Sequence, residues 1–411
     1  APKIDTIMAS NSKAFVALTI SRTSIYSWGD GQYGATGQIV DFNQKIKQVR
    51  AAKKAFALLK EDGTVSTWGN NHYGANNWNY YGGNGHSVSS ELINVKEIYS
   101  TDRAFAALKN DGSVVIWGGD SDGAYHTNYG DTTLYGVKHI HSNGKIFVAL
   151  LNNNKIYVWG HSSYLELNQG SADNTYKLTS LVSNVKEIYS TDTAFAALKN
   201  DGTVFTWGDS ENGGNSSYIS SQLKNIKKIY SNNTAFVALD NNNNAVSWGN
   251  PEYGGNASML ESDIVHISST KQAFAALSYS GRVTTWGNIH SGGLPFTGLL
   301  RDQLSSGVIN IYSTDHCFAA LKDNGEVIAW GHSGYGTSVP SGLSNVDKIH
   351  TSTKAFAAIK NDGSATSWGA STGGGGNSGV SQHSNLVSFT YRSSSTISIS
   401  SYDISNGDTT T

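Results

Sequence analysis

The residues in this chain that could do chemistry are few and scattered. His139 and His141 form a His-x-His pair. At strand spacing this places two imidazoles on one face, the pattern of a shared metal ion. Cys317 follows His316, the two partners of a thiolate nucleophile. Neighbours on a strand point to opposite faces, however, and Cys317 stands where sister segments carry Ala, which marks a buried small side chain. Asp120-Ser121-Asp122-Gly123 begins like a calcium loop but lacks the later ligands. His141 shares its aligned column with Tyr99, Tyr189, Tyr230, Tyr312 and His350. A column that prefers a planar side chain with a polar tip is explained by packing, so no metal site is expected there.

Carboxylate pairs for glycoside hydrolysis could be assembled from loops, but nothing singles one out. The turn S-x-D-x-G-x-x-W of sialidase-like enzymes is absent, because Asp201 and Gly202 are adjacent. The six arginines, Arg22, Arg50, Arg103, Arg282, Arg301 and Arg392, are dispersed rather than clustered for a sugar carboxylate. The expectation is a protein with no catalytic residues, no metal and no cofactor.

What remains is recognition chemistry. Asn70 to Ser90 reads "NNHYGANNWNYYGGNGHSVSS" and holds Tyr73, Trp78, Tyr80 and Tyr81 among Asn and Gly. Further on come Tyr125, Tyr129 and Tyr135, then Tyr164 and Tyr176. Tyrosine and tryptophan supply contact area at low entropic cost, and amides supply adaptable hydrogen bonds. These nine aromatics are the candidate ligand-binding residues. The alternative is that they merely tuck long loops onto the scaffold.

The scaffold is a repeat. "STDRAFAALKNDGSVVIWG" (Ser100 to Gly118) returns as "STDTAFAALKNDGTVFTWG" (Ser190 to Gly208) and, less closely, seven more times. Nine Trp-Gly pairs mark the units, with tryptophans at 28, 68, 117, 159, 207, 248, 286, 330 and 368; the spacing runs from 38 residues (248 to 286) to 49 (68 to 117). A period near forty with strand-like content points to a propeller or a solenoid. In one unit, "VKEIYS", "AFAALK" and "SVVIWG" read as three short strands. Asn110-Asp111-Gly112 makes the turn between the last two, with Gly taking positive φ. Asn replaces that Gly in "NNNK" and "NNNN". The first unit, with Ser21 to Ser24, has neither, so a different turn is expected there. "AFAAL" is apolar on both faces, as in a strand covered on both sides. Six residues after each Trp stands Gly, except for Leu165 in the fourth unit. Such a column signals a turn that a side chain would block.

The opening "PKIDTIMAS" and the late "NLVSFTY" (Asn385 to Tyr391) both match the first strand of a unit. This predicts an all-β chain, a single closed β-propeller of about nine blades of three to four strands over residues 1–393. An eight-bladed ring or an open array is the alternative. Residues 394–411 read as a polar tail or the start of a further segment. The chain starts at Ala1 without Met, which fits a removed leader or a piece of a longer protein.

Composition narrows the partners. Charged residues are 15%, and 29 basic residues nearly balance 31 acidic ones. Nucleic acid needs a basic face to displace counterions and is not expected as a partner. No apolar run approaches the ~20 residues of a spanning helix, so membrane insertion is not expected. One cysteine allows no internal disulfide.

The order V-x-x-I-x-S-T-x-x-A-F-x-A-L-x-x-x-G-x-V-x-x-W-G-x-x-x-x-G resembles the repeat of the regulator-of-chromosome-condensation family, over roughly residues 1–391. The shorter repeat is similar to that family's bacterial secreted and surface branch. The resemblance implies a β-propeller. This chain has Thr101, Thr191 and Thr314 where the family often has Gly, and Ala104-Phe105 and Ala194-Phe195 where it often has His-Thr. No functional residue is carried over. The function expected is a non-catalytic binding module, extracellular or at a cell surface, presenting variable loops to a protein partner. A lectin-like propeller binding a surface glycan is the alternative, and a place in a larger surface protein or assembly fits either.

Overall fold

In the computed structural model, residues 4–11, 13–19, 21–75, 78–79, 86–119, 134–161, 182–256, 262–293, 298–362 and 364–370 are described. They form nine separate sheets, each built on three antiparallel strands in sequence order. The third unit is representative. Its strands are Val95–Ser100, Ala104–Lys109 and Val114–Gly118. Ser100 lies opposite Phe105, and Phe105 opposite Trp117. The first unit adds a fourth strand, Ile39–Asp41. In the third, Trp78–Asn79 from the preceding connection pairs antiparallel with His86–Ser87 and lies parallel to the third strand at Gly118.

The second strand is covered on both faces, as its sequence requires. Phe105 and Ala107 pack with Ala55, Ala57 and Leu59 of the preceding unit. Ala104, Ala106 and Leu108 pack with Phe147, Ala149 and Trp159 of the following one. Each unit therefore finishes its core on its neighbours. In every unit from the second to the ninth, Phe stacks on Trp, as Phe236 does on Trp248 at 5.1 Å and Phe105 on Trp117 at 5.4 Å.

Among the described residues, the glycine six positions after the repeat Trp serves the next unit. Gly74 ends a 3-10 turn (Asn71–Tyr73) with φ of 97°, and a Cβ there would meet the Phe105 ring at 2.7 Å. Its carbonyl accepts the Trp117 indole N–H at 3.1 Å. The same lock recurs from Trp68 to Gly34, Trp248 to Gly213, Trp286 to Gly254, Trp330 to Gly292 and Trp368 to Gly336. The fourth unit carries Leu165 at that position, and the Trp207 that follows it is a buried indole whose N–H has no acceptor among the described residues.

One expectation is corrected. The first unit keeps the common turn: Arg22 takes a φ of 58°, where Gly112 takes 80° and Asn154 takes 60°. Packing on both sides imposes a left-handed conformation that an ordinary side chain resists. The Thr column at 101, 191 and 314 also has a local reason. Each hydroxyl accepts from the backbone N–H three residues on, closing the corner between the first and second strands. Asn143 and Asn232 do the same with their amide oxygens.

Residues 385–391, on which ring closure rests, lie outside the described residues. Among the described residues, the first unit's sheet holds only strands from residues 4–41.

Candidate functional site

The strand pairing gives the array two faces. Corners between first and second strands lie on one face, together with the ends of the third strands and their 3-10 turns. Turns between second and third strands lie on the other, together with the starts of the first strands.

Among the aromatics predicted to bind, Tyr73 lies on the corner face and is half-buried. It packs on the core around Phe105 and Trp117. Its ring is sandwiched by Lys54 at 5.5 Å and Arg103 at 5.2 Å. Lys54 also sits over Tyr33 at 5.1 Å, and Lys13 over Tyr33 at 4.8 Å. Cations and tyrosines thus alternate across three units, which fastens the 3-10 turns and leaves Tyr73 little free area. Tyr135 lies on the opposite face, just before the first strand of the fourth unit, and is 68% exposed. The two are not brought together. Trp78 lies in its two-residue strand. Tyr80, Tyr81, Tyr125, Tyr129, Tyr164 and Tyr176 lie outside the described residues. Tyr218, which sequence reasoning passed over, is 64% exposed in the connection after the fifth Trp-Gly. Its setting in "NSSYISS" was the available signal.

The first strands run side by side through the array, and polar rings fill the space between them. Tyr99 donates its hydroxyl to Glu97 at 2.8 Å and meets His139 Nδ1 at 3.1 Å. Glu97 also faces Arg50 at 3.6 Å. His139 and His141 pack edge to face at 4.6 Å. Burial pushes His141 down to about 3, His266 to about 4, and holds His139 below its usual range. These imidazoles stay neutral at neutral pH and act as packing rings with polar tips, which for His141 is what its column suggested. Burial pushes Tyr99 and Tyr189 up as well, each with help from a neighbouring glutamate.

Cys317 is buried, and its thiol donates to the His332 carbonyl at 3.0 Å. Burial pushes it up to about 11, so it stays a thiol. His316 turns away, with Nδ1 3.0 Å from Ser291 Oγ and its ring edge-on to Tyr335 at 4.8 Å. No group of three or more His, Cys, Asp or Glu among the described residues could hold a metal ion.

The corners themselves form a feature the sequence did not announce. Lys53 N donates to the Asp102 carbonyl and Asp102 N to that of Gly144. Likewise Asp192 N donates to Asn233, Asn233 to Lys271, Lys271 to Asp315 and Asp315 to Thr353. Corner charges pair across units: Lys53 and Lys145 reach Asp102 at 2.8 and 3.3 Å, and Lys271 reaches Asp315 at 2.8 Å. Asp192 makes no ion pair of this kind among the described residues, and burial pushes its carboxyl up to about 6 against the pull of Lys271.

No protein-family model matches the chain, and no curated protein matches it. Among solved structures it is similar to human WBSCR16, at 17% identity and a TM-score of 0.40 over 60% of this chain and 76% of that one. It is similar to Prp20p from Saccharomyces cerevisiae, studied for its binding to Gsp1p and histones, at 16% identity and a TM-score of 0.39 over 70% and 73%. It is also similar to the computationally designed Ika8 protein, at 13% identity and a TM-score of 0.34 over 90% and 97%. The first two are propeller proteins of the regulator-of-chromosome-condensation type.

Proposed function

We propose that the chain is a non-catalytic binding module, a propeller scaffold that presents its connecting loops to a protein partner outside the cell or at its surface. One contrast carries this reading. The columns that build the units are buried almost completely, whereas Tyr135 and Tyr218, both in connections between units, stand 68% and 64% exposed. Large aromatics held in water on a rigid frame are contact residues awaiting an occupant. A closed ring of nine blades belongs to the same proposal. Its support is that Asp192 of the fifth unit feels Lys53 of the second, Asp102 of the third and Lys271 of the seventh. Charges so far apart in sequence share one neighbourhood when corners converge on an axis.

The test is capture from the native source on the immobilised protein, with identification by mass spectrometry, beside a glycan array. The proposal expects one protein retained by the wild type and lost with Tyr135→Ala plus Tyr218→Ala. Array hits abolished by Trp78→Ala would replace the protein partner with a glycan. Turnover of any sialoside or polysaccharide would refute the non-catalytic reading.

A further inference from the structure

Each first strand from the second unit to the ninth contains one residue too many. In the third, Val95 pairs with Lys109 but Glu97 pairs with Leu108, so Lys96 has no opposite number. The same slip singles out Lys47, Lys138, Lys186, Lys227, Val265, Ile309 and Asp347. A β-bulge re-aims the extra residue away from the sheet. Five successive units therefore display lysine at one register position: Lys47, Lys96, Lys138 and Lys186 exposed, Lys227 half-buried. Asp5 occupies this position in the first unit and Asp347 in the ninth.

The first strands of neighbouring units run side by side, so these lysines form one arc on the turn face. Lys47 Nζ donates to the Lys96 carbonyl at 2.9 Å, and Lys227 Nζ to Asn243 Oδ1. Among the described residues, Lys96, Lys138 and Lys186 have no carboxylate within salt-bridge distance. At the corners, by contrast, Lys53 and Lys145 reach Asp102, and Lys271 reaches Asp315. Keeping lysines on an edge strand also discourages edge-to-edge pairing. That role alone would call for lysine in the seventh and eighth units too. Those units instead expose Val265 at 45% and Ile309 at 56%, near Tyr279 at 86%. Tyr279 N donates to the Asp263 carbonyl, two residues before Val265. The arc thus changes from cationic to apolar along its length.

We propose that this bulge arc docks an acidic segment of a protein, its carboxylates over units two to six and an apolar side chain over Val265, Ile309 and Tyr279. The inference rests on the reading of the chain as a protein-binding module and assigns it a second surface. A nucleic acid is the poorer fit. Its charge continues along its whole length, and the arc lacks the arginine forks that suit phosphate.

The test uses the 411-residue protein and fluorescent peptides read by anisotropy: octaglutamate, and octaglutamate with Leu-Leu at one end or the other. One tipped peptide should bind better than the plain one, and both more weakly as salt rises. Lys96→Glu, Lys138→Glu and Lys186→Glu together should weaken all binding by about tenfold or more with an unchanged melting temperature. If that variant melts early, the corresponding three glutamines replace it. Val265→Ser plus Ile309→Ser should weaken only the tipped peptide. No binding by the wild type, undiminished binding by the lysine variants, equal loss of both peptides in the serine variant, or equal affinity for single-stranded DNA or heparin would each overturn the proposal. Such a failure beside a loop-dependent captured partner sinks the arc and leaves the binding module standing.

Discussion

Replacing Trp248 and Trp207 by Phe, one at a time, tests the lock between units. Both indoles are buried, at 0% and 1% exposure, and both stack on a Phe, at 5.1 and 5.2 Å. The ring volume lost is the same, so the cavity cost is common to both. They differ in one hydrogen bond. Trp248 donates to the Gly213 carbonyl at 3.0 Å, and its removal strands that carbonyl in the interior. Leaving a buried polar group unpaired costs about 1–3 kcal/mol. Trp207 has no acceptor among the described residues, so its replacement strands no described carbonyl. Trp248→Phe should therefore be the more damaging by about 1–3 kcal/mol. Urea denaturation gives the global difference. Hydrogen exchange of the second-strand amides in each altered unit gives the local one, because repeat arrays open locally. Equal losses, or a larger loss at Trp207, would refute the view that the glycine turn and the next indole act as one device.

Arg22→Gly should stabilise the protein by about 1 kcal/mol, because the left-handed conformation at 58° costs a side chain roughly that much; thermal melting measures it. Gly74→Ala should destabilise by about 2 kcal/mol or more, since its Cβ would sit 2.7 Å from the Phe105 ring on a backbone at φ 97°. Asp192→Asn should raise the urea midpoint at pH 8, raise it by a smaller amount at pH 5, and leave it nearly unchanged only below about pH 3.8. A carboxyl pushed up to about 6 from 3.8 is favoured protonated in the fold, so its contribution is lost as pH rises between those values. His141 and His266 work in the opposite sense. Their folded values lie below the usual 6.5, so the unfolded chain binds more protons and stability is lost as pH falls below about 6.5. His141→Phe should flatten that acid limb in a stability profile.

The unit itself was legible because its signals are local. Strand lengths, the Gly and Asn turns and the doubly apolar "AFAAL" could be read one unit at a time, and the structure reproduces them, with the first unit's turn as the exception. The His141 column was legible because Tyr and His exchange only where a ring with a polar tip fits. The Gly column was visible as spacing, but its purpose was not, since Gly74 matters through Phe105 and Trp117, which lie a unit further on. Arg22 misled because residue preference was read where two-sided packing decides. The bulge was invisible in any single unit, for "VKEIYS" looks like an unbroken strand until Glu97 is seen opposite Leu108. Tyr73 and Tyr135 looked alike as loop aromatics, and only the placement of their connections on opposite faces separates them.

Because each described glycine turn, from Gly34 to Gly336, is closed by the ring and indole of the unit after it, the chain has a built-in direction. As it leaves the ribosome, a newly made unit can pack backward at once, but its own final turn waits roughly forty residues for its keystone. The growing polypeptide trails one unfinished module behind a finished row, so a pause in translation leaves uncovered that module's turn and its forward core face, such as Ala104, Ala106 and Leu108 in the third unit, while earlier units stay packed.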